Sequence, residues 1–322
     1  MKAHLKGGVQ MRTKGSVLSK KPHIFFMTPG LFFYTIFMIF PIIFTVIISF
    51  TAWNGMNAET LYFEGLGNYK QLFTNPDDFA TYSNAFGNNL KFIAVKEFLV
   101  IPFRLLIAYL FYRKIRGHKI FQVTFFLPYV FSVVIIAFFS TLMFNTNFGL
   151  INNFLSMLGF NKMSLPAWFA DRAYAFPLMM ILDVWFSGSI GVMIILANMK
   201  GIPGDIMEAA TIDGAGEWVK FWRIIMPDLG PSMTNLIVLE IIWGTTAFDL
   251  PYALLGPYGG TGGVLDFVNM FFYRTAFGSG SLSNTALDYG FASTISAVTF
   301  LFMFVMTGIL RKALSRVKVW NE

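Results

Sequence analysis

Cysteine is absent from the 322 residues, which removes disulfides, thiolate metal sites and cysteine nucleophiles together. Histidine is almost absent: His4, His23 and His118 are scattered, so no imidazole cluster has metal-ligand spacing. Charge is scarce too, at 13% of residues, too little to cover a soluble chain of this length. No GxxxxGK[ST] motif is present, so the chain does not hold ATP in a phosphate loop, and it binds no cofactor of its own. HExxH, GxSxG and paired-acid hydrolase patterns are missing as well, which argues against an enzyme. The glycine-rich run Gly259-Gly260-Thr261-Gly262-Gly263 precedes no strand–helix unit and reads as a flexible turn. Repeats of 20–50 residues are not visible.

What the chain has in quantity is apolar sequence, at 56% of residues. Runs at about Ile24–Phe50, Ala85–Tyr112, Ile120–Phe144, Phe176–Asn198, Ser232–Leu255 and Phe291–Leu310 are each long enough to cross a hydrocarbon layer of ~30 Å as a helix. The expectation is an all-α polytopic membrane protein with six transmembrane helices. The first run exceeds a signal-peptide core and lacks a small-x-small cleavage site, so it should stay as an anchor.

Lysine and arginine set the orientation. One side holds the N-terminal tail (Lys2, Lys6, Arg12, Lys14, Lys20, Lys21), the 113–119 loop (Arg113, Lys114, Arg116, Lys119), the central loop (Lys200, Lys220, Arg223) and the C-terminal tail (Arg311, Lys312, Arg316, Lys318). The opposite loops hold Lys70, Lys162, Arg172 and Arg274 alone. Both termini and the central loop should therefore be cytoplasmic, in a multi-pass protein of the cell (plasma or inner) membrane. The net charge of +7 is then a topology signal, not a nucleic-acid footprint. The expected organisation is a basic tail (1–22), a first helix with its outer loop (23–83), a membrane core (84–311) and a short cytoplasmic tail (312–322).

The central loop, Gly201–Pro231, is the polar stretch around which the rest is arranged. Asp205 is a plausible N-cap, with Glu208 three residues on as its capping-box partner. That helix should run to about Ile212 and turn at Asp213-Gly214. A second helix places Trp218, Phe221, Trp222 and Ile225 on one apolar stripe and should end at Pro227. Taken alone, the stretch also suits an amphipathic helix lying on lipid.

Glu208-Ala209-Ala210, Asp213-Gly214-Ala215, Phe221, Ile224 and Pro227 resemble the EAA loop of ABC-importer permeases. Outside the loop, Thr51–Gly55, Gly67-Asn68-Tyr69, Gly149–Asn152, and Phe248-Asp249 with Tyr273 resemble the carbohydrate (maltose-type) branch, so the likeness covers nearly the whole chain beyond the basic tail. It implies a type I permease core that pairs with a second permease subunit and cytoplasmic ATPase subunits carrying ATP-Mg, and receives sugar from an extracytoplasmic solute-binding protein. It also implies ATPase-coupling roles for Asp205, Glu208, Ala209, Ala210, Asp213, Gly214, Ala215, Trp218, Phe221 and Pro227. Glu208 would pair with a basic residue of the ATPase groove, while Trp218 and Phe221 would hold the loop to the membrane core.

Charges within the spans need a cavity or a partner. Lys91, Lys96 and Glu97 suit snorkelling combined with a local ion pair; Arg104 and Asp249 lie within or at the edge of spans too. Asp183, followed by Trp185, Phe186 and Ser187, and Glu240, followed by Trp243 and Gly244, set an acid close to aromatic faces. That chemistry suits a sugar, whose hydroxyls bond carboxylates and whose apolar face stacks on rings. Sugar-contacting positions implied by the resemblance fall on Asp183, Phe186, Ser187, Ile190, Glu240, Trp243, Gly244 and Ala247. Some of these carry amides in the maltose case, so substrate identity does not transfer. Two uncompensated carboxylates would disfavour an anionic substrate and point to neutral oligosaccharides. The acids could instead bridge to the partner permease, or serve as the ion site of a secondary sugar transporter driven by Na⁺ or H⁺.

Overall fold

The computed structural model describes residues 22–278 and 287–314. Residues 1–21 of the basic tail, residues 279–286 of the expected third outer loop and residues 315–322 of the C-terminal tail lie outside the described residues. The chain divides into two units, 1–47 and 48–322. The described part of the first, 22–47, is helical and belongs to α1 (22–48), whose side chains are exposed from Phe26 to Phe44. A helix apolar on every face is suited to lipid rather than to a packed core.

The second unit is mostly helical. Its helices are α2 (Gly67–Thr74), α3 (76–112), α4 (His118–Val130), α5 (Val133–Met143), α6 (Leu150–Met157), α7 (Arg172–Gly201), α8 (Gly204–Ile212), α9 (217–228), α10 (Gly230–Thr245), α11 (Asp249–Leu255), α12 (Val268–Phe277) and α13 (Tyr289–Leu314). Strands β1 (Thr51–Ala52) and β2 (Tyr62–Phe63) form one short antiparallel pair, with Thr51 opposite Phe63.

Among the described residues, four helical stretches are long and apolar enough to cross a membrane: Phe26–Ile48, α7, α10 with α11, and α13. The bent pair α4–α5 makes a fifth if it is one span. Helix α3 is not among them, since it carries Lys91, Lys96, Glu97 and Arg104 in its middle.

Two expected spans are broken. Ile120–Phe144 was expected as one helix, but the chain bends by 100° between α4 and α5. Pro128 sits in a tight 3₁₀ turn at the end of α4. Ser132 then caps α5, accepting from the Val134 N–H at 3.3 Å. The Ser232–Leu255 run stops at Thr245 and restarts at Asp249. Carbonyls freed by that break find amide side chains. Asn89 Nδ2 donates to the Gly244 and Thr245 oxygens at 2.7 and 3.1 Å, and Asn269 Nδ2 donates to Thr246 O at 2.9 Å. Orphaned helix-end carbonyls in an apolar medium need such partners.

Three π-helical stretches share one sequence feature. They span Thr35–Ile39, Lys96–Val100 and Phe221–Ile225, and Pro41, Pro102 and Pro227 each follow by two residues. Proline lacks an N–H and its ring crowds the carbonyl four residues back. The wider turn moves that carbonyl aside, so the helix passes through instead of ending. This is why Pro227 does not end α9, which runs on to Asp228.

The end of the second unit that carries the strand pair is stitched by asparagines and by the segments that carried the family likeness there. Asn68 Nδ2 donates to Ser49 O and Thr51 O at 3.2 and 2.9 Å, and Thr294 donates to Ser49 O at 3.0 Å. Asn84 and Asn88 both donate to Gly263 O at 2.9 Å, holding the glycine-rich turn against α3. Half-buried Arg274 grips buried Asp266 with two nitrogens at 2.8 and 2.7 Å. Burial still pushes the Asp266 carboxyl above its ordinary value, against the pull of Arg274.

Candidate functional site

Both broken spans open onto one cavity of about 580 Å³, within the range of small-molecule sites. The bend between α4 and α5 contributes Tyr129 and Phe131, and the α10–α11 break contributes Trp243, Ala247 and Phe248. From α7 come Asp183, Phe186, Ser187 and Ile190, and from α3 come Phe92 and Lys96. Irregular backbone at membrane depth is tolerated where it lines a cavity, and it does so here twice.

Beside the cavity four charges alternate across three helices. Glu240 of α10 has no exposed surface and bonds Arg104 of α3 through Oε1. Its Oε2 lies 2.8 Å from Lys96 Nζ, which in turn lies 3.3 Å from Asp183 Oδ2 on α7. Lys96 and Arg104 are 3% and 1% exposed, so neither snorkels; Lys91, by contrast, is exposed. The carboxylates are therefore compensated within the chain, which overturns the expectation of two uncompensated acids.

Local structure makes the quartet possible. Lys96 and Arg104 are eight residues apart, which in a regular α-helix leaves them roughly 80° apart around the axis. The π turn starting at Lys96 absorbs one residue and brings them to within about 20°. Both then face Glu240. Gly191 makes room on α7: a Cβ there would lie 2.7 Å from Arg104 Cδ.

The expected sugar-path residues divide accordingly. Asp183, Phe186, Ser187, Ile190, Trp243 and Ala247 line the cavity. Glu240 stands behind it in the quartet. Gly244 packs against Ile93, where a Cβ would approach to 2.4 Å. Trp185 is 51% exposed and lines apolar depressions elsewhere, beside Phe139 and Phe125. Sequence reasoning missed Lys96, Phe92, Tyr129, Phe131 and Phe248. For Lys96 a signal existed: the Ala85–Tyr112 run carries Lys91, Lys96, Arg104 and Glu97, and two other runs carry acids, Asp183 and Glu240, that need a partner.

The central loop leaves the end of α7 and returns through α10. Helix α8 has Pro203 as N-cap with no side-chain cap, so the expected capping box of Asp205 and Glu208 does not form. The helix starts at Gly204, which places Asp205 in its first turn, where a carboxylate favours the helix dipole. Asp205, Glu208, Ala209 and Asp213 are exposed, and Ala210 and Ala215 are half-buried. Asp213 is the C-cap, and Gly214 follows at φ +76° as the turn requires.

The expected single stripe on α9 is split. Trp218 and Trp222 are 73% and 48% exposed, and Trp218 packs edge-on against Trp222 rather than anchoring the loop. Half-buried Phe221 meets the Tyr109 ring at 4.8 Å, while Ile225, Leu229 and Ile202 enter a core cluster with Ala108, Phe111 and Leu196. Pro227 is half-buried beside them. Glu217 bonds Arg113 at the end of α3 and accepts from Tyr109 at 3.3 Å. The Arg113 guanidinium holds the Glu217 carboxyl below the usual carboxylate range. Lys220, buried, donates to Thr211 Oγ1 of α8 at 2.8 Å. The loop is thus latched to the core while its α8 face stays open. No group of His, Asp and Glu among the described residues could hold a metal ion.

Residues 101–319 match the family model described as binding-protein-dependent transport system inner membrane component. The chain is 27% identical over 284 residues to the probable ABC transporter permease protein YurN of Bacillus subtilis, covering 88% of this chain and 92% of that protein. It is 28% identical over 291 residues to the trehalose/maltose transport system permease protein MalF of Thermococcus litoralis, covering 88% and 90%. In fold it is similar to a bacterial alginate ABC transporter crystallised with an alginate pentasaccharide-bound periplasmic protein. The TM-score is 0.74 at 18% identity, over 93% of this chain and 97% of that one. The matched region holds the central loop and three of the four quartet residues, and on it the chain belongs to the family of inner-membrane components of binding-protein-dependent transport systems.

Proposed function

We propose that the chain is a permease subunit of an ATP-driven importer of carbohydrate, working by alternating access. One observation carries the reading. Helices α7 and α10 both line the cavity, and they are the two helices joined by the central loop. A push on α8 by a cytoplasmic ATPase would therefore reach the cavity walls along α7 and α10, which lead from the loop to the cavity. Exposed Ile206, Ile212 and Trp218 give the loop an apolar surface for a groove on that partner. ATP-Mg would sit on the partner, and this chain would supply the path.

The finer assembly is a heterodimer with a second permease, fed by a solute-binding protein at the outer face. In the membrane the chain would have six spans, with both termini and the central loop cytoplasmic. Helix α3 supplies the sixth span because Lys96 and Arg104, which lower its apolarity, are neutralised inside the fold. The core from 84 to 311 acts as one unit. Asp205, Glu208, Ala209, Ala210, Asp213, Gly214 and Ala215 form the ATPase-facing segment. An ion-coupled transporter based on Asp183 and Glu240 is disfavoured, because both acids already face cations of this chain.

The test is sugar-stimulated ATP hydrolysis by the complete complex with Glu208→Ala. We expect hydrolysis to lose its dependence on sugar-loaded binding protein. Full retention would remove Glu208 from the coupling role.

A further inference from the structure

Among the described residues that line the cavity Lys96 is the one cation, and it is already engaged. Glu240 holds it at 2.8 Å from behind and Asp183 at 3.3 Å from the side, while the Phe92 ring lies 4.9 Å beneath it. Arg104 keeps Glu240 in place. The two cations and two anions of the quartet cancel, and the remaining lining charge is Asp249, an acid. An anion entering this cavity would have to displace Asp183 or Glu240 from Lys96, and would meet Asp249 without a cation to offset it. Displacing either acid would strand it, buried, without its partner, which is costly, and Asp249, itself exposed, adds a weaker, solvent-screened repulsion.

A neutral polyol meets no such cost. An ammonium has three donors and a carboxylate about four acceptor sites. Asp183 and Lys96 can therefore both bond sugar hydroxyls while staying paired with each other. Phe186, three residues past Asp183 on α7, packs beside Tyr129 with ring centroids 6.1 Å apart, offering an aromatic surface next to that polar pair.

We infer that Lys96 and Asp183 form a charge-compensated anchor that makes this cavity selective for neutral saccharides over uronates and other anionic sugars, with Lys96 as a specificity-determining residue. The inference rests on the carbohydrate-import reading.

The test uses the complete importer in ATP-loaded proteoliposomes. Uptake of a neutral malto-oligosaccharide is compared with that of an oligouronate of equal length. The same binding protein is used throughout, so differences between variants report on the permease. Wild type should import the neutral sugar and exclude the uronate. Asp183→Asn should raise KM for the neutral sugar about tenfold at similar kcat, the loss of one hydrogen bond to a charged group. It should also admit the uronate, because Lys96 then has a free valence. The double variant Lys96→Gln/Asp183→Asn stays neutral and polar, which keeps the test valid if single changes fail to fold. It should bind the neutral sugar more weakly and still exclude the uronate.

Wild-type import of the uronate in preference to the neutral sugar would overturn the inference and leave carbohydrate import standing. So would an unchanged KM in both variants. Import of neither sugar, with hydrolysis stimulated by a cargo of another class, would overturn the carbohydrate reading and this inference with it.

Discussion

Glu240 has no exposed surface, and both of its oxygens face cations. A buried pair of this kind adds little net stability, since desolvating the charges offsets their attraction. Removing one partner is another matter, because it strands the other. Arg104→Met should therefore destabilise the chain by about 3–5 kcal/mol, read as a lowered thermal midpoint in detergent. Arg104→Met combined with Glu240→Gln should recover much of that loss. A double variant no better than the single would mean that Arg104 acts through packing alone. Gly244→Ala should cost about 1–3 kcal/mol by overpacking, since the new methyl group would press on Ile93. The sequence shows that Lys96, Arg104, Asp183 and Glu240 lie in apolar runs and need partners. It does not pair them, because each span's rotation about its axis depends on the π turn at Lys96 and on the glycine at 191.

Among the elements, the central loop is the most informative. Its helix–turn–helix form, its end at Ile212 and its turn at Gly214 follow from local chemistry, and the sequence shows them. Its attachment does not. Trp218 is a better sequence candidate for an anchor than Glu217, yet Glu217 bonds Arg113 and Tyr109 while Trp218 stays exposed. That contact joins residues more than a hundred positions apart, and no local pattern announces it. Glu217→Gln should loosen α9 from α3 and lower transport per ATP hydrolysed. An exposed pair contributes about 0.2–1 kcal/mol, so the effect should reach at most about fivefold. Exchanging the charges (Glu217→Arg with Arg113→Glu) should restore coupling, and failure to do so would deny the pair a role. The pH dependence has a definite sign. A carboxyl held below its ordinary value contributes above its unfolded pKa and loses that contribution as pH falls through the folded value. The latch should thus hold across neutral pH and release only in acid below the usual carboxylate range. Uptake per ATP, followed across pH and ionic strength, measures both.

At the scale of the whole molecule, the absence of cysteine becomes an experimental advantage. Phe63→Cys and Ile212→Cys place single thiols on residues 79% and 86% exposed, one on the short strand pair and one on the central loop. A membrane-impermeant maleimide should label position 63 in intact cells and position 212 only after permeabilisation. The reverse pattern would invert the topology read from lysine and arginine. Uptake should also survive collapse of the proton and sodium gradients while ATP remains, and should stop when ATP is removed.

The sequence by itself determined the membrane class, the spans that are apolar throughout, and the family, through the central loop. Those features are local: composition, run length, a turn glycine and a short motif are complete within their own segments. Tertiary structure decided where spans break, which expected sugar-path residues reach the cavity, and that the intramembrane acids are neutralised from within the chain. The gap after Thr245 is accepted because Asn89 and Asn269 bond the carbonyls it frees, and the bend at Ser132, like that gap, lines the cavity. Lys96 meets Asp183 and Glu240 only because three helices, far apart in sequence, pack with those faces together. Such contacts depend on rotation and packing, quantities that a linear pattern of residues does not contain.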